Sequence, residues 1–296
     1  MDHQFGNISS WTADKLQRIK SYLDAYQQAL KNQPFKLEYI DAFAGTGYIH
    51  SKITIRGELL FDQDETLVLK DFIDGSARVA LQSNPPFSRY TFIEKHQKRC
   101  IELENLKTDF PDLAGSISVI CGEANIEIKR LCDSNWIAAG RRGVMFLDPY
   151  GTQVSWETIR LIAETRAIDL WILFPIGAVN RLLNRDGHII KVARKRRLDV
   201  VFGESGWFDT FYERSEPRPL LPDDTTTTFR KTSDPFGAIT KYFIERLGTV
   251  FAEVAANPLQ MKNSSNSPIF LLCFAAGNPK GAPIAVKIAQ HILGKR

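Results

Sequence analysis

The sequence predicts an α/β domain with a doubly wound, mainly parallel sheet that carries helices on both faces. Two observations lead to this fold. An apolar strand pattern begins at Tyr39 and runs into a turn that contains Gly45 and Gly47. Apolar runs of strand length then alternate with helical patterns as far as Phe174, and the run at residues 143–147 is apolar throughout, as in strands buried on both faces. This alternation favours right-handed β-α-β crossovers and a parallel sheet.

The predicted elements follow the chain in a regular order. A helix with apolar residues on one face covers residues 11–30 and precedes the first strand. A long polar segment reaches Asp74, and a short helix then begins at residues 75–77. Later strands are predicted at residues 90–94, 116–121, 143–147, 169–174 and 268–274, and later helices after residue 94, after residue 125, and at about 155–164, 235–247 and 283–293.

The regular alternation of predicted strands and helices is interrupted between residues 177 and 234. This segment holds a basic cluster, Trp207, a proline-rich stretch at residues 216–219 and a threonine run at residues 225–228. We expect a lid or substrate-recognition segment inserted into a single domain that spans residues 1–296.

Composition places the chain among ordinary globular proteins, because 44% of its residues are hydrophobic and 24% are charged. No run of eighteen apolar residues and no signal-peptide pattern is present, so a cytoplasmic location without membrane association is expected. The four cysteines, Cys100, Cys121, Cys132 and Cys273, are too scattered for metal-binding pairs and too few for a disulfide scaffold. We expect four thiols and no metal site, since the five histidines are also far apart.

The glycine turn predicts a cofactor site, because glycine lets a backbone approach a ligand closely at the carboxyl end of a strand. The dinucleotide fingerprint needs a third glycine where this chain has His50, and a Walker loop is also absent. The pattern D-x-F-A-G-x-G resembles motif I of class I S-adenosylmethionine-dependent methyltransferases. This resemblance implies that the amino acid portion of S-adenosylmethionine is bound by Asp41, Phe43, Ala44, Gly45 and Gly47.

Polar residues follow the next two predicted strands as well. Glu94, with Lys95 beside it, ends the second strand, and its carboxylate is suited to ribose hydroxyls. Glu123 and Asn125 follow the third strand and are candidates for contacts with the adenine ring. A methyltransferase requires cofactor contacts at these strand ends in this order.

The sequence Asp148-Pro149-Tyr150 ends the fourth buried strand and resembles the D-P-P-Y or N-P-P-Y pattern of amino-methyltransferases, except that one proline is missing. In that pattern the carboxylate and the proline carbonyl accept hydrogen bonds from an exocyclic amine, and the aromatic ring stacks on a base. These three residues are the predicted catalytic group, with rate arising mainly from alignment of amine and methyl group.

The basic cluster gives a candidate substrate surface. Between residues 181 and 197 the chain carries seven Lys and Arg residues against the single acid Asp186. Arg194, Lys195, Arg196 and Arg197 are suited to phosphate contacts. A solvated helix end is the alternative interpretation of the same residues.

With these motifs together, the chain resembles the three-Cys-motif partner protein family, bacterial proteins with a methyltransferase-like core. The resemblance rests on residues 39–47, 75–77, 92–94, 146–151 and 270–283. It implies a partner that bears three cysteines and resembles an iron-sulfur radical enzyme. The cysteines of this chain do not form that triad.

The main hypothesis is an S-adenosylmethionine-dependent methyltransferase that acts on an amine of a nucleobase or nucleic acid. A second hypothesis is a module that keeps the fold without catalysis and binds nucleic acid or the three-cysteine partner. A third is an enzyme that uses another nucleotide cofactor on the same sheet, since a fold alone does not determine function.

Overall fold

The structure of the protein is a computed structural model that describes residues 10–53, 69–187, 190–215, 228–263 and 265–295. Within these ranges the helices are α1 (Ser10–Leu30), α2 (Ser76–Leu81), α3 (Gln97–Glu104), α4 (Leu106–Asp109), α5 (Ala124–Cys132), α6 (Trp156–Glu164), α7 (Ile176–Leu182), α8 (Val192–Phe202), α9 (Trp207–Phe211), α10 (Pro235–Gly248) and α11 (Ala282–Leu293), with a 3₁₀ helix at Pro111–Ser116. In these ranges no helix is both long enough and apolar enough to cross a membrane.

The strands form one large sheet and two hairpins. They are β1 (Lys36–Asp41), β2 (Tyr48–Ile53), β3 (Leu69–Asp74), β4 (Arg89–Glu94), β5 (Ile117–Cys121), β6 (Arg141–Leu147), β7 (Ile168–Phe174), β8 (Tyr212–Ser215), β9 (Thr228–Lys231), β10 (Glu253–Val254), β11 (Leu259–Lys262) and β12 (Pro268–Ala276). The large sheet has the order β10-β12-β7-β6-β1-β4-β5, and β11 also pairs with β12.

The central strands β7, β6, β1, β4 and β5 are parallel, whereas β12 runs antiparallel to β7. The predicted α/β fold with a mainly parallel sheet is therefore confirmed. The chain builds outward from β1 through β4 to β5 and then returns to place β6 on the other side of β1. This reversal of strand order is the point at which doubly wound sheets bind ligands.

Helices cover both faces of the sheet, as the alternation along β6 shows. Val144 and Phe146 pack into one core cluster with α1 and α11, and Met145 and Leu147 pack into the other with α6. Burial on both faces explains why residues 143–147 are apolar throughout.

The polar segment after the glycine turn contains a hairpin that the sequence analysis did not predict. Strands β2 and β3 pair antiparallel from Tyr48 with Asp74 to Ile53 with Leu69, and residues 54–68 lie outside the described ranges. The amide of Gly75 donates to the carbonyl of Gly47 at 2.9 Å and closes the base of this hairpin. As a result α2 begins beside the glycine turn, although 28 positions separate Gly47 from Gly75.

The segment from residue 177 to 234 contains most of α7, all of α8 and α9, and the hairpin of β8 with β9. The proline-rich stretch and most of the threonine run lie outside the described residues. Its role as an insertion within one domain stays a prediction. Two further short strands, β10 and β11, were not predicted, because they owe their structure to pairing with β12.

The prediction of four thiols is wrong for one pair of cysteines. Cys100 of α3 and Cys121 at the end of β5 form a disulfide, with Cα atoms 5.9 Å apart. The two cysteines are 21 residues apart in sequence, and the β4-α3-β5 crossover brings them together in the fold. Cys132 and Cys273 are free thiols.

Candidate active site

The predicted site residues gather at the carboxyl edge of the parallel strands. Asp41 ends β1, Glu94 ends β4, and Asp148 directly follows β6, the strand paired with β1. Parallel strands bring their carboxyl ends to one edge, so these three acids lie on the same side of the sheet.

The glycine turn has the backbone conformation that only glycine adopts readily. Gly45 and Gly47 have φ angles of +63° and +76°. A Cβ atom at Gly45 would meet no described atom within 4 Å, whereas one at Gly47 would lie 3.4 Å from the side chain of Leu106. The amide of Ala44 donates to the carbonyl of Ile93 at 3.1 Å and anchors the turn to β4. Gly45 therefore presents bare backbone to open space.

Asp41 is fully buried beside this turn. Its Oδ1 accepts a hydrogen bond from the amide of Phe43 at 3.1 Å, while Oδ2 makes no hydrogen bond within the described residues. Burial raises the pKa of Asp41 to about 7, and the nearby Ser76 hydroxyl lowers it in part. A buried carboxylate oxygen that lacks a donor is suited to a cationic or hydrogen-bonding ligand.

Lys15 of α1 is the site residue that sequence reasoning missed. Its ammonium lies 2.5 Å from Oδ2 of Asp148 and 5.8 Å from the centre of the Phe146 ring. The side chain of Lys15 is 6% exposed and that of Asp148 is 29% exposed. A sequence signal existed, because Lys15 falls on the helical stripe that continues with Ile19 and Tyr22.

Lys15, Asp41 and Asp148 interact electrostatically as one group. The charge of Asp148 adds to the rise in the pKa of Asp41, which burial dominates, and the charge of Lys15 opposes it. One ammonium thus faces two carboxylates at the point where the strand order reverses.

Glu94 is 7% exposed and is held in one orientation. Its Oε1 accepts from the amide of His96 at 2.8 Å, and its Oε2 lies 3.7 Å from a guanidinium nitrogen of Arg99. Each carboxylate oxygen retains a second lone pair for a ligand hydroxyl. Lys95, the neighbouring candidate, has an exposed side chain.

Glu123 is the N-cap of α5 and accepts from the amide of Ile126 at 3.0 Å. Its other oxygen accepts from the side-chain amide of Asn125 at 2.7 Å. Asn125 also accepts from the Thr158 hydroxyl at 2.6 Å and from the Ser155 amide at 3.1 Å. The two residues thus connect the end of β5 with the start of α6, and their predicted contacts with adenine stay a prediction.

The segment after β6 presents an aromatic ring to solvent. Tyr150 is 89% exposed, and its backbone amide donates to Oε1 of Gln153 at 3.0 Å. Pro149 is buried, and Gly151 has a φ angle of +64° with open space at its Cβ position. Burial of Pro149 and the hydrogen bond of the Tyr150 amide fix the backbone here, whereas the Tyr150 ring remains exposed to solvent.

The predicted phosphate-binding residues lie on α8, which borders this segment. Arg197 donates to the Thr152 hydroxyl at 2.8 Å, and Arg194 donates to the Asn184 side chain at 2.6 Å. Lys195 and Arg196 are exposed. Arg197 therefore connects α8 to the segment after β6, whereas the phosphate contacts predicted for residues 194–197 stay a prediction. In the described residues no group of His, Cys, Asp and Glu side chains is arranged to hold a metal ion.

Comparison with known proteins gives low similarity throughout. No protein-family model matches the chain, and no curated protein matches it. Among solved structures, protein LPL1258 of Legionella pneumophila, described with the family model DUF519, is 16% identical with a TM-score of 0.39, and the match covers 83% of this chain and 93% of that one.

Two further structures are similar at the same level. The putative methyltransferase yhhF of Escherichia coli is 11% identical with a TM-score of 0.31, over 72% of this chain and 86% of its own. The YcgJ protein of Bacillus subtilis is 10% identical with a TM-score of 0.30, over 86% of this chain and 95% of its own. These values are too low to carry an argument about function. The mainly parallel, methyltransferase-like α/β fold is established by the strand order itself, and membership of the three-Cys-motif partner family stays a prediction.

Proposed function

We propose that the protein is an S-adenosylmethionine-dependent methyltransferase that N-methylates an amine of a nucleobase or nucleic acid. One observation carries the proposal: the Asp148 carboxylate, at the end of β6, already binds a primary ammonium, that of Lys15, at 2.5 Å. A group that accepts hydrogen bonds from this nitrogen is suited to accept them from a substrate amine as well.

The residues around the glycine turn fit the cofactor. Asp41 Oδ2 is a buried acceptor without a donor in the described residues and is suited to the α-ammonium group of S-adenosylmethionine. Gly45 leaves room for close approach of the amino acid portion. Glu94 would accept hydrogen bonds from the ribose hydroxyls. S-adenosylmethionine supplies an electrophilic methyl group on a sulfonium centre.

The Asp148 segment would orient the substrate. The carboxylate of Asp148 and the carbonyl of Pro149 accept hydrogen bonds from the amine and direct its lone pair toward the methyl group. The ammonium of Lys15 occupies Oδ2 of Asp148, so a substrate amine either uses the other carboxylate oxygen or displaces Lys15. The exposed ring of Tyr150 provides a surface on which a base stacks, and such stacking is worth about 1–3 kcal/mol. A target base within a duplex has to be flipped out of the stack first.

The basic residues of α8, Arg194, Lys195, Arg196 and Arg197, would contact the phosphates next to the target base. Lys195, Arg196 and Arg197 are exposed, and Arg197 also donates to Thr152, two residues beyond Tyr150. Positive charges near the Tyr150 ring would hold a nucleic acid by its phosphates without selecting its sequence.

The first test is calorimetric titration of the full chain with S-adenosylmethionine and S-adenosylhomocysteine. We expect micromolar binding that Glu94→Ala removes, while the control Glu102→Ala, an exposed position on α3, retains it. Absence of binding to folded protein, in the presence and absence of the three-cysteine partner, would contradict the proposed cofactor.

The second test is transfer of a labelled methyl group to RNA and to DNA. Asp148→Ala should abolish transfer and leave cofactor affinity unchanged, because it removes the acceptor on the substrate side of the site. Glu157→Gln, an exposed acid on α6, is the control and should retain full activity.

A catalytically inactive module that binds nucleic acid or a three-cysteine iron-sulfur protein is the second candidate. The same ion pair favours it, since the ammonium of Lys15 occupies the acceptor that a substrate amine needs. In that case Asp148→Ala would leave binding of nucleic acid or of the partner unchanged, and no transfer would be found with the wild-type chain.

A further inference from the structure

A second cavity lies at the opposite edge of the sheet from the candidate active site. It has a volume of about 110 Å³, is lined by α1, α11 and residues at the starts of β6 and β7, and opens to solvent beside Ile284, which is 63% exposed. Arg142, which lines it, stands six residues before Asp148. At about 3.3 Å per residue the cavity is therefore roughly 20 Å from the Asp148 carboxylate. None of the residues assigned to methyl transfer lines it.

The wall of the cavity is mostly apolar and aromatic, with Tyr22, Tyr26, Phe35 and Ile288 among its residues. Burial raises the pKa values of Tyr22 and Tyr26 well above 10, so both phenols are neutral. An engineered cavity of about 150 Å³ in another protein holds benzene, so this one has room for about one six-membered ring.

Two charged side chains reach this wall, and their hydrogen bonding differs. Asp169 is 6% exposed, and each of its oxygens has a donor: the amide of Gly277 at 3.0 Å and the hydroxyl of Tyr22 at 2.9 Å. The guanidinium of Arg142 lies 4.5 Å from the centre of the Phe35 ring and donates through one terminal nitrogen to the carbonyl of Arg141. Its Nε is buried and has no acceptor within the described residues.

The hydrogen bonds of Asp169 and Arg142 indicate which polar group a ligand in this cavity would carry. Each oxygen of Asp169 already accepts one hydrogen bond, so neither oxygen is left unsatisfied. The Arg142 Nε–H is a buried donor that needs an acceptor. The charges of Arg142 and Asp169 oppose each other within one site, and a charged ligand would leave an uncompensated buried charge.

We propose that this cavity binds a neutral, single-ring molecule whose carbonyl oxygen accepts a hydrogen bond from Nε of Arg142. The ring packs between Tyr22, Tyr26 and Ile288, and the carbonyl faces the starts of β6 and β7. The residues of this site are separate from those assigned to methyl transfer, so the site would exist in the catalytically inactive module as well.

Three probes of nearly equal shape test the proposal: acetophenone, cumene and 1-phenylethylammonium. They differ in carrying a carbonyl, no polar group or a cation. Titration of the full chain with isoleucine-methyl labelling should shift the methyl signal of Ile288, while that of Ile159, which packs on the other face of the sheet, stays constant. We expect acetophenone to bind at least about fivefold more tightly than either of the other probes.

Two variants test the assigned contacts. Arg142→Met should remove the preference for acetophenone over cumene, whereas Lys287→Met, at an exposed position of α11 outside the cavity, should retain it. Ala285→Phe should fill the cavity and prevent binding of all three probes, and Ala29→Phe, on the α1 side, serves if the first variant does not fold. Equal binding of acetophenone and cumene, tighter binding of the cation, or a carbonyl preference that survives Arg142→Met would each overturn the proposal.

Discussion

The ammonium of Lys15 lies 2.5 Å from the carboxylate of Asp148, although 133 positions separate the two residues. The contact brings α1, the first described helix, onto the strand end that bears the predicted catalytic segment. The charge of Lys15 also acts on Asp41, because it opposes the rise in the pKa of that carboxyl group. The electrostatics of the site therefore depend on a helix that lies outside all of its sequence motifs.

Replacement of Lys15 by Met should destabilise the protein. Methionine keeps the apolar stem of the side chain but leaves Asp148 without its partner. Loss of one member of a buried pair costs about 3–5 kcal/mol, and the partial exposure of Asp148 reduces this to about 1–2 kcal/mol. Urea unfolding measures the change in the free energy of unfolding.

Lys20→Met is the matched control on the same helix. Lys20 pairs with Asp24 at 2.7 Å, but both side chains are much more exposed than Lys15. Its loss should cost no more than about 0.5 kcal/mol. Equal effects of the two substitutions would show that the Lys15 pair contributes no more than a surface contact.

Two glycine substitutions should separate the cofactor side of the site from the substrate side. Gly45 and Gly151 have nearly equal φ angles, +63° and +64°, and a Cβ atom at either would meet no described atom within 4 Å. Alanine should therefore cost about 1 kcal/mol of stability at both positions. We expect Gly45→Ala to weaken S-adenosylmethionine binding at least tenfold, because its methyl group would enter the space beside the turn.

Gly151→Ala should leave that affinity within about twofold and slow methyl transfer instead, since it displaces the segment that carries Tyr150. Calorimetry and the transfer assay distinguish these effects. Equal loss of cofactor affinity in both variants would contradict the division of the site into two sides.

The buried carboxyl of Asp41 should make stability depend on pH. Its pKa is about 7 in the folded protein and 3.8 in the unfolded chain. Between these values the folded state retains a proton that the unfolded state releases, so the free energy of unfolding falls as pH rises. Asparagine does not titrate, and Asp41→Asn should gain about 3 kcal/mol relative to wild type between pH 4 and pH 8. Denaturation across this range measures the difference, and a constant difference would refute the assignment.

The disulfide should stabilise the folded protein under oxidising conditions. Cys100 and Cys121 close a loop of 21 residues, for which the chain-entropy model gives about 3 kcal/mol. A reductant should lower the melting temperature of wild type and of Cys132→Ser, and leave that of Cys121→Ser unchanged. If the reductant lowers all three melting temperatures equally, the cysteine pair does not account for the effect.

The strand ends of the site could be predicted from sequence because the signal is local. A run of apolar residues that ends in an acid is visible at Asp41, Glu94 and Asp148 without knowledge of any partner. The side of the sheet then follows, since the carboxyl ends of parallel strands share one edge. The start of the helix predicted at about residues 155–164 is local in the same way, because the Ser155 hydroxyl caps α6 by accepting from the amide of Thr158 only three residues away.

The features that were missed depend on contacts between distant residues. The partner of Lys15 directly follows β6, and Cys100 meets Cys121 only after a crossover brings them together. Asn125 shows the same difference between local and distant features. Its position after β5 could be predicted from sequence. Its hydrogen bond with Thr158 could not, because that bond depends on how α6 packs against α5. Pairwise contacts of this kind are not visible in the periodicity of one sequence.

Helix α1 packs on the sheet and extends from the edge at the candidate active site to the edge at the cavity. Lys15 reaches the Asp148 segment at one end, and Tyr26, eleven residues and about 16 Å further along, lines the cavity at the other. Arg18, between them, donates to the carbonyl of Lys295 at 2.7 Å and joins the helix to the segment after α11. A displacement of this helix would therefore move both Lys15 and Tyr26. If a ligand in the cavity shifts α1, it alters the binding of an amine at Asp148, and the amine alters the affinity of that ligand by the same factor.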